Sequence, residues 1–414
     1  MKAVSSSPDG GVKPLRYGMA KCLFFLMGLI NNSGYTIVLS AASDIASETN
    51  NKSKMPMFSG SLVLMAIVIY LINSRFLINF KHTTRIIAAS CFFFLGVTCI
   101  ITSLLLKSFP LALGGSLVLG TGTTLGGSTV MGFLKTFDAQ VVFGWASGTG
   151  FAGIFGAGYY LTLKAVGASV MISLVSLLPM YVIYIVVFFR LNKIGRTHEN
   201  AIIEVEEGHT ESIVPADDYL SSHAPSVSAA MPPHKPKNVT ISFSNICQLY
   251  KLIVYYTFSL AIVYFCEYSC IGYLAHVLVR HKPSSSIHRF SFEIIQACYQ
   301  IGVFIGRSSL VVVKIKKVWL LTFAQLLLFA SWLTWALWFE RINFWILYVS
   351  IFFVGIVGGM SYANVIFSIV GHPKIEKEKK EACLNLNGAS YETAVLLNSF
   401  IGVLFENVIR PLRA

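Results

Sequence analysis

Apolar residues run for about 20 positions or more in eleven separate stretches of this chain. That is the length an α-helix needs to cross a bilayer at about 1.5 Å of rise per residue. The stretches fall near 18–42, 57–79, 86–106, 110–134, 140–163, 168–190, 248–278, 290–313, 318–339, 343–370 and 382–409. This pattern predicts an all-α polytopic membrane protein of about 11 transmembrane helices. Composition agrees: hydrophobic residues make up 55% and charged residues only 12%, against about 25% charged in soluble domains.

Six stretches precede one long hydrophilic segment and five follow it. That segment, 191–247, is rich in Glu, Ser, Pro and His and lacks apolar periodicity, so it is expected to be a disordered linker. The chain then divides into a tail (1–17), an N-terminal six-helix bundle (18–190), the linker (191–247) and a C-terminal bundle (248–414). Two bundles joined this way match the topology of a major-facilitator-like transporter, whose halves rock about a midplane site.

The net charge of +13 changes the picture only through its placement. With the N-terminus inside, 21 Lys and Arg fall on the cytosolic side and ten on the other, which favours a cytosolic N-terminus and linker. The charges are dispersed among loops, so they give no reason to expect nucleic-acid binding. Asn51-Lys52-Ser53 is a glycosylation acceptor sequence in the first luminal loop on this orientation. Eight cysteines form no CxxC pair and no His/Cys cluster, so neither a disulfide framework nor a metal site is expected. Walker, nucleophile-elbow and HExxH motifs are absent, which leaves no sequence basis for an enzyme or a cofactor.

The informative residues are the polar ones that hydrocarbon should reject, at about 2.5 to 3.5 kcal/mol for a charge at a helix centre. Asn31, Asn32 and Tyr35 sit deep in the first run and Asp44 follows towards its luminal end. They read either as the wall of a water-filled crevice or as interhelical hydrogen bonds. Glu267 lies mid-run between Tyr264 and Tyr268, too far from either end to reach water. It is the leading candidate for a proton carrier or substrate ligand, the alternative being a structural carboxyl. Glu293, Gln300 and Arg307 are seven apart and so share one helix face, with Glu293 towards the lumen and Arg307 close enough to the cytosolic loop to snorkel. Arg307 could also clamp an anionic group with two parallel hydrogen bonds. Tyr268, Tyr362, Asn364 and Glu392 complete the expected pathway. Glycine clusters at Gly120–Gly127, Gly148–Gly158 and Gly355–Gly359 predict close helix packing, with helix breakage as the alternative.

Four ungapped segments carry a resemblance: 31–45 (NNSGYTIVLSAASDI), 147–153 (SGTGFAG), 264–268 (YFCEY) and 299–310 (YQIGVFIGRSSL). They resemble the signature segments of the battenin family of membrane proteins, and the likeness extends over nearly all the spans. The resemblance implies a major-facilitator-like fold, residence in a lysosomal or vacuolar membrane, and export of glycerophosphodiesters from the lumen, with links to luminal pH and basic amino acids. It also implies that Asn31, Asn32, Tyr35 and Asp44 line the first helix of a cavity, that Glu267 faces it from the second bundle, and that Arg307 lies toward the cytosolic gate. The sequence departs from the family pattern twice. It ends Arg410-Pro411-Leu412-Arg413-Ala414 without the CaaX box of some members, so no prenyl anchor is expected. The acidic residue associated with the fourth span is replaced within Leu125-Gly126-Gly127-Ser128.

The expectation is a secondary transporter of a small, anionic, phosphodiester-like metabolite, possible partners being protons and membrane lipid. Two alternatives stay open: a non-transporting scaffold that regulates lysosomal pH or trafficking, and a basic amino-acid carrier that would use Glu267, Glu293 and Glu392.

Overall fold

The computed structural model describes residues 14–51, 57–137, 139–211, 243–280, 291–338 and 342–409. Fourteen α-helices account for nearly all of them: α1 Pro14–Glu48, α2 Met57–Leu64, α3 Ala66–Arg75, α4 His82–Leu106, α5 Phe109–Phe133, α6 Val142–Ala165, α7 Val170–Val175, α8 Leu178–Glu211, α9 Phe243–Ser269, α10 Ala275–Arg280, α11 Ser291–Ser308, α12 Trp319–Trp338, α13 Phe344–Val370 and α14 Lys380–Ile409. Local chemistry sets several boundaries. Asn343 caps α13 by accepting from the Trp345 backbone N–H at 3.0 Å, Ser169 does the same for α7 from Ile172, and Lys107 ends α4 in the left-handed conformation.

Ten helical spans among the described residues are long and apolar enough to cross a membrane. The eleventh expected span, α14, is 30 residues long and carries Asn385, Asn387, Glu392 and Asn398 along it. It packs on α9 in the second half and on α3 and α5 in the first. Protein rather than lipid therefore surrounds much of it, and its polar groups can find partners.

The expected linker begins later than its composition indicates. α8 continues as helix to Glu211. Its extension is anchored by buried Leu191 and by Gly195, which lies close under the rings of Phe133 and Phe137. Residues 212–242 of the expected linker lie outside the described residues, as does most of the N-terminal tail, although α1 already starts at Pro14.

Glycines act here through close packing. A side chain at Gly28 would meet the backbone of Trp145 and Thr149 at 2.7 and 2.8 Å, and one at Gly148 would overlap the Phe25 carbonyl, so α1 and α6 touch backbone to backbone. Gly302 and Gly306 on α11 meet Gly355 and Gly359 on α13 in the same way. One glycine does break a helix. Gly272, with φ −90° and ψ −112°, lies in a π turn, Cys270–Leu274, between α9 and α10, and the Gln296 side-chain amide donates to the adjacent Ile271 carbonyl at 3.0 Å.

Candidate functional site

The two halves meet through polar side chains at two levels. At the end carrying Arg85, Lys135 and Lys374–Lys380, the fully buried Glu381 of α14 receives Arg85 of α4, Lys135 at 3.2 Å and His82 at 3.3 Å. Asn73 of α3 extends this network: it accepts from Arg85 at 3.0 Å and donates to Ser128 at 3.0 Å and to Asn385 of α14 at 3.2 Å. Burial opposes ionisation of Glu381. The His82 hydrogen bond and the Arg85, His82 and Lys135 charges outweigh it and hold the carboxyl well below the ordinary carboxylate range.

Deeper in the protein, Arg307 of α11 points inward. It donates to the Thr149 hydroxyl of α6 at 2.7 Å, lies 3.4 Å from the Tyr264 hydroxyl of α9, and stacks its guanidinium over the Tyr362 ring of α13 at 4.3 Å. Its Nε has no hydrogen-bond partner. Of the two readings offered for Arg307, snorkelling to the loop is not what it does: Thr149, Tyr264 and Tyr362 hold its guanidinium. Trp145 of α6 donates to the Tyr362 hydroxyl at 3.3 Å, and the Tyr70 and Tyr391 hydroxyls meet at 3.0 Å, so aromatic bonds also cross between the halves. Tyr264 packs on Tyr391 at 4.6 Å between centroids and stacks on Tyr268 at 5.9 Å.

Two carboxylates border this aromatic cluster. Glu267 is buried at 3% exposure and accepts from the Tyr299 hydroxyl of α11 at 2.7 Å. Glu392, half-buried, has no hydrogen bond to any described residue.

Other expected pathway residues are used elsewhere. Asn31 is satisfied within the first half: its amide donates to the Thr123 carbonyl at 3.0 Å and to Asn32 at 3.1 Å, and its oxygen accepts from Tyr184 at 3.0 Å. Asn31 is thus bonded between helices of the first half. Asn32 and Tyr35 are half-buried, and Tyr35 packs against the main apolar core. Asp44 does not line the interior; it pairs at the protein's edge with Lys164 at 2.5 Å and accepts from Tyr160. Asn364 is likewise structural, accepting from the Ile315 backbone N–H at 2.7 Å and donating to the Met360 carbonyl at 2.9 Å, which pins the loop after α11. Gln300 and Arg307 do share one face, turned to α6, where the Gln300 carboxamide occupies the space beside Gly153 and Arg307 the space beside Gly150. The backbone of Glu293 belongs to α11, but its side chain lies outside the described residues. Asn51 follows α1, half-buried, with its side-chain amide on the Thr49 carbonyl at 2.8 Å.

Arg85, Glu381, Tyr70, Tyr299 and Trp145 escape the sequence reading. Arg85 and Glu381 look like ordinary loop-end charges, and no spacing links residues 296 positions apart.

The family model described as CLN3 protein matches residues 22–411. Battenin of Dictyostelium discoideum is 26% identical over 376 residues, covering 87% of this chain and 88% of its own. Protein BTN1 of Kluyveromyces lactis is 28% identical, covering 92% of each, and battenin of Canis lupus familiaris is 26% identical, covering 84% and 81%. Among solved structures, a bacterial homologue of the iron transporter ferroportin, in an outward-facing state, superposes with a TM-score of 0.61 at 12% identity, covering 93% of this chain and 92% of its own. The proton:xylose symporter XylE gives 0.61 at 11% identity, covering 96% and 90%. At such identities the likeness establishes the fold, which is that of the major facilitator superfamily. With the family match spanning nearly the whole sequence, this multi-pass membrane protein belongs to the CLN3, or battenin, family.

Proposed function

We propose that the protein is a secondary transporter of lysosomal or vacuolar membranes that exports a small polar metabolite, a glycerophosphodiester, by alternating access. The observation that carries this reading is Arg307. A guanidinium held between the halves by one hydroxyl on α6 and one on α9, with Nε uncommitted, keeps donors for an anionic oxygen. A phosphodiester bound there would replace the Thr149 contact and so alter what joins α6 to α11. That is the differential contact a substrate needs in order to shift an equilibrium between two arrangements. The major-facilitator fold supports rocking of the halves, and the Lys/Arg distribution supports a cytosolic N-terminus with Asn51 as a luminal glycosylation site. On this orientation the Glu381 network closes the cytosolic end.

Glu267, buried and hydrogen-bonded among the described residues only to Tyr299, is the candidate proton carrier. The test is flux in sealed proteoliposomes. The purified protein should accumulate labelled glycerophosphodiesters, and Glu267→Gln should flatten the dependence of flux on pH. An unchanged pH profile removes Glu267 from that role, and uptake of lysine or arginine without any phosphodiester uptake would favour the basic amino-acid carrier.

A further inference from the structure

The loop between α11 and α12 carries three lysines and no carboxylate. Lys314, Lys316 and Lys317 fall within four residues and are all exposed, and the sequence holds no Asp or Glu between Glu293 and Glu340. Other lysines at this end of the protein are matched internally: Lys135 reaches Glu381 at 3.2 Å and Lys379 reaches Glu376 at 2.9 Å. Among the described residues no ion pair involves Lys314, Lys316 or Lys317. Lys314 instead lies over the Phe367 ring of α13, 5.3 Å from its centroid.

The position of the loop is as informative as its charge. Residues 312–318 join two membrane-spanning segments, Ile294–Val311 and Trp319–Trp338, and so short a connection stays at the membrane surface. It is also held in place. Leu310 and Val318 are buried at its two ends, and Asn364 of α13 accepts from the Ile315 backbone N–H at 2.7 Å. What remains outside is apolar as well as basic, with Val311, Val312 and Trp319 exposed at 64%, 85% and 50%. Exposed apolar side chains continue from both ends of the loop, Ile301 and Ile305 along α11 and Leu320, Phe323 and Leu327 along α12. Those are surfaces that hydrocarbon covers. The lysines therefore sit where the chain passes from acyl chains to head groups, the level at which tryptophan is also favoured.

We propose that this loop is a binding site for an anionic phospholipid of the leaflet on that face, with Lys314, Lys316 and Lys317 on the phosphate-bearing head group and Val311, Val312 and Trp319 against the adjoining lipid. An ammonium is a point-charge partner for phosphate and needs no fixed angle of approach, which suits a head group that is itself mobile. Each lysine near an anionic surface strengthens binding roughly fivefold. A soluble anion would meet the charges and leave the apolar rim uncovered. A zwitterionic lipid would cover the rim and leave the lysines unmatched. Only an anionic lipid answers both. The site lies on the outside of the protein, apart from the polar cluster between the halves, so it depends neither on the phosphodiester reading nor on which compartment this face meets.

The experiment titrates the full-length protein, purified in neutral detergent, with phosphatidylinositol bisphosphate, with phosphatidylcholine and with water-soluble inositol trisphosphate, reading binding by thermophoresis. The wild type is expected to bind the first at least tenfold more tightly than either of the others. Equal affinity for phosphatidylcholine overturns recognition of charge, and equal affinity for inositol trisphosphate overturns the lipid as occupant. Combining Lys314→Gln, Lys316→Gln and Lys317→Gln should weaken binding of the bisphosphate lipid at least tenfold. Combining Arg75→Gln and Lys81→Gln, which removes two exposed charges from the segment between α3 and α4, should change it less than threefold. Equal losses in the two variants overturn the site in favour of diffuse attraction to the whole basic face. Should the triple variant fail to fold, the wild type decides alone with a bisphosphate lipid that carries a photoreactive acyl chain: label recovered chiefly on residues 308–327 is expected, and label chiefly on other segments overturns the proposal.

Discussion

Asn31 and Arg307 are both polar, both within the membrane-spanning region and both bonded across helices, yet they are held in opposite ways. Asn31 spends its amide nitrogen on Asn32 and the Thr123 carbonyl and its oxygen on Tyr184, all within the first half. Arg307 spends one nitrogen on the first half and one on the second and leaves Nε unpaired. The difference separates scaffold from site. A polar group whose hydrogen-bonding capacity is used up by its own bundle gains nothing from a ligand, whereas one with spare donors between bundles can exchange a protein partner for a guest.

The strongest way to break this comparison is to remove the spare donors. Arg307→Ala should reduce transport at least 100-fold, measured per correctly folded molecule in proteoliposomes. Arg307→Lys should recover only part of it, because an ammonium keeps the charge and loses the planar fork. Near-normal flux in Arg307→Ala would remove Arg307 from the site.

The closure at the basic end should yield the next largest effect. Glu381→Ala strands Arg85 and Lys135 beside Asn73, and losing one partner of a buried pair costs about 3 to 5 kcal/mol. The melting temperature should fall, and a cysteine introduced near this interface should react faster with a soluble thiol reagent. The same network predicts a pH response. Because the Glu381 carboxyl is held below its unfolded value of about 4.3, its stabilisation is complete above that value and is lost as pH falls through the depressed folded value. Between pH 7 and 5 the thiol reactivity at this end should therefore stay constant, and an increase across that window would show that another group governs the closure.

Asn31→Ala sharpens the other side of the comparison. It leaves the Tyr184 hydroxyl and the Thr123 carbonyl without their bonds and should cost about 1 to 3 kcal/mol of stability. Flux per folded molecule should change less than threefold, since the loss is structural; a collapse of flux at unchanged stability would return Asn31 to the pathway. Asp44→Asn should do least. Its partner Lys164 is 55% exposed, and surface pairs contribute about 0 to 1 kcal/mol, so a shift in melting temperature beyond a few degrees would be unexpected.

The mixed outcome for the expected pathway follows from what helical periodicity can convey. Gln300 and Arg307, seven apart, do lie on one face, because heptad spacing fixes direction around a single helix axis. Asn364 and Asp44 look equally polar in the sequence, but one is taken by the Ile315 backbone and the other by Lys164. Those partners lie 49 and 120 residues away, where no local pattern reaches. The end of α8 shows the same limit. Composition marks 191 as the start of a linker, yet Leu191 and Gly195 pack against the first half and carry the helix on to Glu211.

What the sequence alone determined is the solvent and the kind of fold. Long apolar runs specify lipid-facing helices, since each such helix satisfies its own backbone within its own segment, and glycine clusters specify where helices come close. What only the tertiary structure decided is which polar residues are already occupied. Satisfaction of a hydrogen bond is a property of pairs, and the deciding pairs, Glu381 with Arg85, Tyr70 with Tyr391 and Arg307 with Thr149, join helices that only folding brings together.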